Sequence, residues 1–293
     1  MIYVDIVSDT ICPWCYIGKR RFERALAQSG RTDIAVAWRP FQLNPDMPPE
    51  GMTRDDYVRA KFGGGDRPRQ IYQAIAESGR EAGIEFQFSR IRRTPNTVLS
   101  HRLIFWSVAQ ERQDEVVAAL FKAYFEDGLD VGDPDILVEC AVRAGLDRDA
   151  ARSFLQSDEG RQEVVASDVY ARRLGINGVP CFIVNRKYAV SGAQPPSAFV
   201  EVFNLAERDA ATSTAQAYAQ AGAGDEGFSE EFVLGLEMRI EGAARQAGRQ
   251  HDVVDVGAGI AAQPEEAAGM TEEFGPDAQG LGDIRRHFMS VII

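Results

Sequence analysis

Ile2-Tyr3-Val4-Asp5-Ile6-Val7, Ser8-Asp9-Thr10 and Cys12-Pro13-Trp14-Cys15 together decide how this chain folds. The first six residues are a short β-branched run, the next three are polar, and helical spacing of apolar residues begins at the cysteine pair. Strand, loop and helix therefore follow one another within the first fifteen residues. Tyr16, Phe22, Ala25 and Leu26 give the helix an apolar stripe from near Pro13 to about Gln28, and Gly30 suits its end. Residues 33–43, DIAVAWRPFQL, alternate and are rich in β-formers, so a second strand completes a βαβ unit.

Working outward, the pattern between residues 53 and 174 becomes helices with clear punctuation. Thr53, Asp66, Asn96, Asp133 and Asp147 suit N-caps, and Gly83, Gly128, Gly145 and Gly175 suit helix ends. Val117, Leu120, Phe121, Tyr124 and Phe125 make one apolar face, and Ile136, Leu137, Cys140 and Ala144 another. Extended character returns at residues 181–191, where Asn185-Arg186 separates two short apolar runs as a hairpin would. A last helix is expected from about Pro195 to Glu207. The order βαβ, helical insert, ββα predicts an α/β body from residues 1–52 and 175–208, interrupted by an all-helical insert at 53–174.

Residues 209–293 differ in composition, being rich in Ala, Gly and acids. Fifteen Asp and Glu face five Arg and no Lys there, so this segment carries −10 of the formal net charge of −12. An acidic tail is expected, partly disordered, with one amphipathic helix near 229–249 where Phe232, Leu236 and Ile240 recur. Val253-Val254-Asp255-Val256-Gly257-Ala258-Gly259 resembles a nucleotide-binding turn, but the 34 residues after it are too few to finish such a domain. The first 208 residues are left with a charge of −2, which supplies no field for phosphates, so nucleic acid is not an expected partner. Met1-Ile2-Tyr3-Val4 runs straight into Asp5 without a basic start, and no apolar run approaches a membrane span. A cytoplasmic protein without membrane attachment is expected.

Four cysteines in 293 residues, two of them in one CxxC, do not describe a disulfide scaffold. Exchange chemistry needs a thiolate, and Cys12 lies just before the helix, where unpaired backbone N–H groups and the helix dipole favour an anion. Cys12 is therefore read as the nucleophile. Cys15, one turn inward, is placed to attack a mixed disulfide on Cys12 and release the partner. Pro13 suits the first helical position, and Trp14 is expected to present an aromatic surface beside the sulfur. A half zinc site is the competing meaning of CxxC, but Cys140 and Cys181 form no second pair, and His101, His251 and His287 lack ligand spacing. No metal and no bound cofactor are expected.

Several of these stretches, read together, resemble one family. Cys12-Pro13-Trp14-Cys15-Tyr16-Ile17-Gly18-Lys19, Trp38-Arg39-Pro40-Phe41-Gln42-Leu43-Asn44-Pro45, Pro95-Asn96-Thr97, His101-Arg102-Leu103, Ala123-Tyr124-Phe125, Gly178-Val179-Pro180 and Tyr188-Ala189-Val190-Ser191-Gly192-Ala193-Gln194 look like the FrnE-like branch of the DsbA family, over residues 1 to about 207. The resemblance implies a thioredoxin-like fold with a helical insert, and a cis peptide before Pro180 that turns the Val179 backbone toward Cys12, where an extended substrate could pair as an added strand. It also implies ligand-side roles for Asn96 and His101, which an N-cap and a packed helix histidine explain equally well. Cys181 departs from the family pattern, and is either a third redox thiol or a small buried hydrophobe.

Three functions compete at this level. The first is a thiol–disulfide oxidoreductase acting on protein or small-molecule thiols and disulfides, with glutathione as an optional co-substrate. The second is a glutathione-dependent isomerase or transferase of the hydroxychromene carboxylate isomerase type, whose relatives place serine where this chain has Cys12. The third is a non-catalytic binding or chaperone module beside Trp14.

Overall fold

The computed structural model describes residues 1–63 and 65–221, with side chains as far as residue 211. The helix expected near 229–249 and the Val253–Gly259 stretch lie outside the described residues. In chain order the described elements are β1 (Ile2–Ser8), α1 (Pro13–Ser29), β2 (Ile34–Pro40), β3 (Met52–Thr53), α2 (Arg54–Phe62), α3 (Arg67–Glu81), β4 (Arg93–Thr94), α4 (Val98–Trp106), α5 (Gln113–Phe125), α6 (Pro134–Arg143), α7 (Arg148–Gln156), α8 (Arg161–Arg173), β5 (Cys181–Val184), β6 (Tyr188–Ser191) and α9 (Pro196–Ala221).

The two ends of the chain meet in one four-stranded sheet of order β2-β1-β5-β6. β2 runs parallel to β1, the two joined by the α1 crossover, while β5 and β6 are antiparallel to their neighbours. Alternation along β1 sends Ile2, Val4 and Ile6 to one face and Val7 to the other. On the first face α1 and α9 bring Phe22 and Phe199 against Phe182 of β5, and Phe203 edge-on to Phe22, with ring centroids 4.7–5.9 Å apart. All four rings are buried, each worth about 1.5–3 kcal/mol by area removed from water. On the second face Val7, Phe41 and Cys181 pack against Ala171 of α8.

Local signals explain most element ends. Gly30 closes α1 with φ 62°, and Thr53, Asp133 and Asp147 accept backbone N–H bonds at the starts of α2, α6 and α7. Asp66 occupies its N-cap without a side-chain bond. Asn96 stands one residue before the cap of α4, which is Thr97. Asn185 and Arg186 both take positive φ, as a type I′ turn requires, and the Lys187 N–H closes onto the Val184 carbonyl at 3.0 Å.

Two features go beyond the sequence expectations. Within the helical insert, Met52-Thr53 pairs with Arg93-Thr94 as a short antiparallel ribbon, a contact between residues forty apart that periodicity does not register. The last helix continues to Ala221 instead of ending at Glu207. Residues 208–221 carry a single bulky side chain, Tyr218, but they are rich in helix-forming Ala and free of Gly and Pro, so propensity carries the helix onward. Asp209, inside this extension, takes hydrogen bonds from Lys187 and Tyr188 of the β5–β6 hairpin. Among the described residues no helix is long and apolar enough to cross a membrane.

Candidate functional site

β1 ends at Ser8, and Asp9, Thr10 and Ile11 turn the chain into α1, all of them buried. Cys12 is the N-cap residue with extended dihedrals, φ −90° and ψ 113°, and Pro13 is the first helical residue, where a missing N–H costs nothing. The Cys12 carbonyl accepts from the Cys15 and Tyr16 N–H groups at 3.1 and 3.4 Å, so these first-turn donors return to the backbone. The Cys12 side chain makes no capping bond. Its thiol donates instead to the Val179 carbonyl at 3.5 Å. The peptide between Val179 and Pro180 is cis, and the strand after it pairs with β1, with Cys181 opposite Val7. Residues 167 positions apart therefore meet at the head of α1.

Both cysteines are free and buried, at 3% and 1% exposure. Burial, and then a hydrogen bond with Cys12, hold the Cys15 thiol well above its ordinary range. Trp14 is half-buried and packed on the core rather than exposed.

Asp9 is the residue that sequence reasoning passed over as part of a polar loop. It is fully buried, its backbone N–H bonds to the Cys15 sulfur, and its charge also bears on that thiol. Its carboxylate accepts the Leu43 N–H at 2.7 Å and faces His101 Nε2 at 3.3 Å. The available signal was a lone acid three residues before Cys12, between an apolar strand and an apolar helix. His101 is 3% exposed and points inward at Asp9 and at the Phe41 carbonyl, 3.2 Å away. Asn96 spends its side chain on the fold, donating to the Met47 carbonyl at 2.7 Å and accepting the Val98 N–H at 3.0 Å.

Cys12, Pro13, Trp14, Cys15, Val179 and Pro180 are thus gathered at one end of the sheet, with His101 behind them through Asp9. Cys181 points to the opposite sheet face, among Val7, Phe41 and Ala171, where burial pushes its thiol up to about 11. Cys140 lies in the insert core, pushed up to about 12 by the same cause. Among the described residues, no group of three or more His, Cys, Asp or Glu is arranged to hold a metal ion.

Known proteins resemble this chain to different degrees. The chain is 27% identical over 188 residues to the uncharacterized protein YwbO of Bacillus subtilis, covering 62% of this chain and 86% of that one. A solved structure from Streptomyces coelicolor, described as a probable DsbA oxidoreductase, is 32% identical, with a TM-score of 0.65 over 70% of this chain and 90% of that one. A candidate protein disulfide isomerase from Nitrosomonas europaea shares the fold at 19% identity, with a TM-score of 0.57 over 71% of this chain and 98% of that one. The model of the DSBA-like thioredoxin domain matches residues 3–204, which takes in every element from β1 to the first turns of α9. The chain belongs to the DsbA-like thioredoxin-domain family.

Proposed function

We propose that this chain is a cytoplasmic thiol–disulfide oxidoreductase of the FrnE-like branch, working through Cys12 and Cys15 on protein or small-thiol disulfides. The observation that carries the reading is Cys12 at the N-cap of α1, with Cys15 one turn inward and the Val179 carbonyl before the cis-proline 3.5 Å from the Cys12 sulfur. In the reducing direction Cys12, as thiolate, attacks a substrate disulfide. A new S–S bond forms between Cys12 and one substrate sulfur, and the other leaves with the electron pair. Cys15 then loses its proton and attacks the Cys12 sulfur. The intramolecular disulfide forms, the second substrate sulfur departs as thiolate, and two electrons have passed from the dithiol to the substrate. Glutathione, as a small thiol, could return the dithiol to its reduced state by the same exchange. Pro13, Trp14 and Val179, each half-buried, are the residues beside Cys12 that would meet substrate, with the Val179 backbone available to an extended segment and the buried Pro180 setting its direction.

Reduction of insulin by a dithiol tests the proposal. The parent protein is expected to accelerate it and Cys12→Ser to abolish the acceleration. Equal rates for the two would overturn the reading. Isomerisation of an aromatic substrate with glutathione that survives loss of both cysteines would favour the isomerase reading instead.

A further inference from the structure

The helical insert carries an open cavity of about 470 Å³, walled by α2, α3 and the turn that follows α3, and no residue of the dithiol site lines it. The volume is that of a small-molecule site. Part of the wall is apolar, made by Val58, Pro68, Phe88 and the ring of Tyr72, with the Tyr72 and Phe88 centroids 4.8 Å apart. The rest is cationic: Arg54, Arg59 and Arg69 line it against one acid, Asp55.

Arg54 is the fixed member of this set. It opens α2, and its backbone N–H is tied to the Arg92 carbonyl at 2.9 Å, beside the β3–β4 ribbon. Its half-buried guanidinium stands 5.4 Å from the Tyr57 ring centroid and 5.1 Å from that of Tyr72, and it donates to the Thr94 hydroxyl at 3.2 Å and to the Tyr72 hydroxyl at 2.6 Å. Both partners are neutral, and among the described residues no carboxylate reaches ion-pair distance of Arg54. Its charge is met only by hydroxyls and ring faces, and several of its N–H groups stay unused. Tyr72 accepts the bond from Arg54, so its own hydroxyl proton is left to give, and among the described residues nothing takes it.

Arg59 and Arg69 are held differently. Both are exposed, and each pairs with an acid three residues earlier, Arg59 with Asp56 at 3.4 Å and Arg69 with Asp66 at 3.1 Å. Exposed pairs of this kind contribute little, so either guanidinium can turn onto an anion in the cavity at small cost.

We propose that this cavity binds a small organic anion, with one phosphate or carboxylate head on a flat apolar body. Arg54 and Tyr72 take the head, Arg59 and Arg69 close over it, and the body lies along the Phe88 wall. The head supplies the charge partner that Arg54 lacks within the chain. A bare inorganic ion would leave the apolar wall wet. The site does not depend on the dithiol reading above.

Isothermal titration of the full chain with phenyl phosphate, benzoate and inorganic phosphate tests the assignment. At least one of the two aryl anions is expected to saturate a single site, about tenfold or more tighter than inorganic phosphate, and the tighter of the two identifies the head. Tyr72→Phe keeps the ring and loses the hydroxyl, and should weaken that anion about tenfold. Arg54→Lys keeps the charge and loses the planar fork, with a loss at least as large. Arg69→Gln, on an exposed side chain that the fold does not need, should weaken it about threefold. Cys12→Ser should bind as tightly as the parent. Absence of saturable binding by either aryl anion, inorganic phosphate binding as tightly as both, or affinities unchanged in Tyr72→Phe and Arg69→Gln would overturn the site. Loss of binding in Cys12→Ser would overturn it too, by placing the anion at the dithiol. Insulin reduction is measured without any of these anions, so the cavity and the dithiol reading fail separately.

Discussion

Gly18 lies directly against Pro180: a Cβ at this position would stand 2.8 Å from the Pro180 Cγ and 3.3 Å from the Phe182 Cζ. The third residue after Cys15 is thus the place where α1 meets the strand entrance that carries Val179. The helix bearing both cysteines and the segment facing them are seated on each other through a position with room for a hydrogen atom alone.

Gly18→Ala is therefore expected to destabilise the protein by about 1–3 kcal/mol through overpacking, despite the better helix propensity of alanine. Urea unfolding at neutral pH measures it. An unchanged midpoint would mean that Pro180 moves aside freely.

Cys15→Ser leaves the proposed nucleophile in place and removes the thiol that releases the partner. Incubation with a small disulfide should convert it to a lasting mixed disulfide on Cys12, seen as one adduct by intact mass. Cys12→Ser should accumulate far less, because burial holds the Cys15 thiol protonated near neutral pH. Equal adduct on both variants would reverse the assigned roles.

The buried thiol of Cys181 gives the stability a pH dependence with a definite sign. Its value rises from 9.0 in the free thiol to about 11 in the fold. Below pH 9 both folded and unfolded chains hold the proton, and the fold keeps the full benefit. Between pH 9 and 11 only the unfolded chain releases it, so stability falls as pH rises, by up to about 3 kcal/mol from this group. Cys181→Ala should cost about 1 kcal/mol of packing at pH 7.5 and show a shallower alkaline decline in urea midpoints. Insulin reduction should be the same with and without the Cys181 thiol, which lies on the sheet face away from Cys12.

Arg102 is 1% exposed and donates to the carbonyls of Glu159 at 2.7 Å, Ser157 at 2.7 Å and Phe154 at 3.2 Å. It satisfies the end of α7 and the turn into α8 from a single side chain. Arg102→Leu removes the guanidinium from the Glu159 and Ser157 carbonyls, while the Phe154 carbonyl keeps the Ser157 N–H and hydroxyl, and should cost about 3 kcal/mol. Arg102→Lys should recover less than half of that, because an ammonium cannot reproduce the planar fork that reaches all three. Thermal melting of both variants checks the order.

Much of the architecture was legible because its causes are local. The β-branched run before Cys12, the apolar stripe of α1, the Asn185-Arg186 turn and the caps at Thr53, Asp133 and Asp147 each declare themselves within a few residues. α9 was read short because bulky apolar residues stop at Arg208, whereas helix propensity does not. Asn96 and His101 were visible as polar residues in a recognisable pattern. Their partners were not, since Met47 lies 49 positions from Asn96 and Asp9 lies 92 from His101.

By itself the amino-acid order determined the elements, their succession and the placing of two thiols one helical turn apart, because periodicity, propensity and capping act over a few residues. The Val179 backbone beside Cys12 was implied by the family resemblance, and only the tertiary structure decided the rest of what surrounds those thiols: Asp9 with His101 behind Cys15, Cys181 turned to the far face of the sheet. Such contacts depend on how the helical insert folds back between strands that pair across it, and a buried polar group finds its partner only once that packing has excluded water.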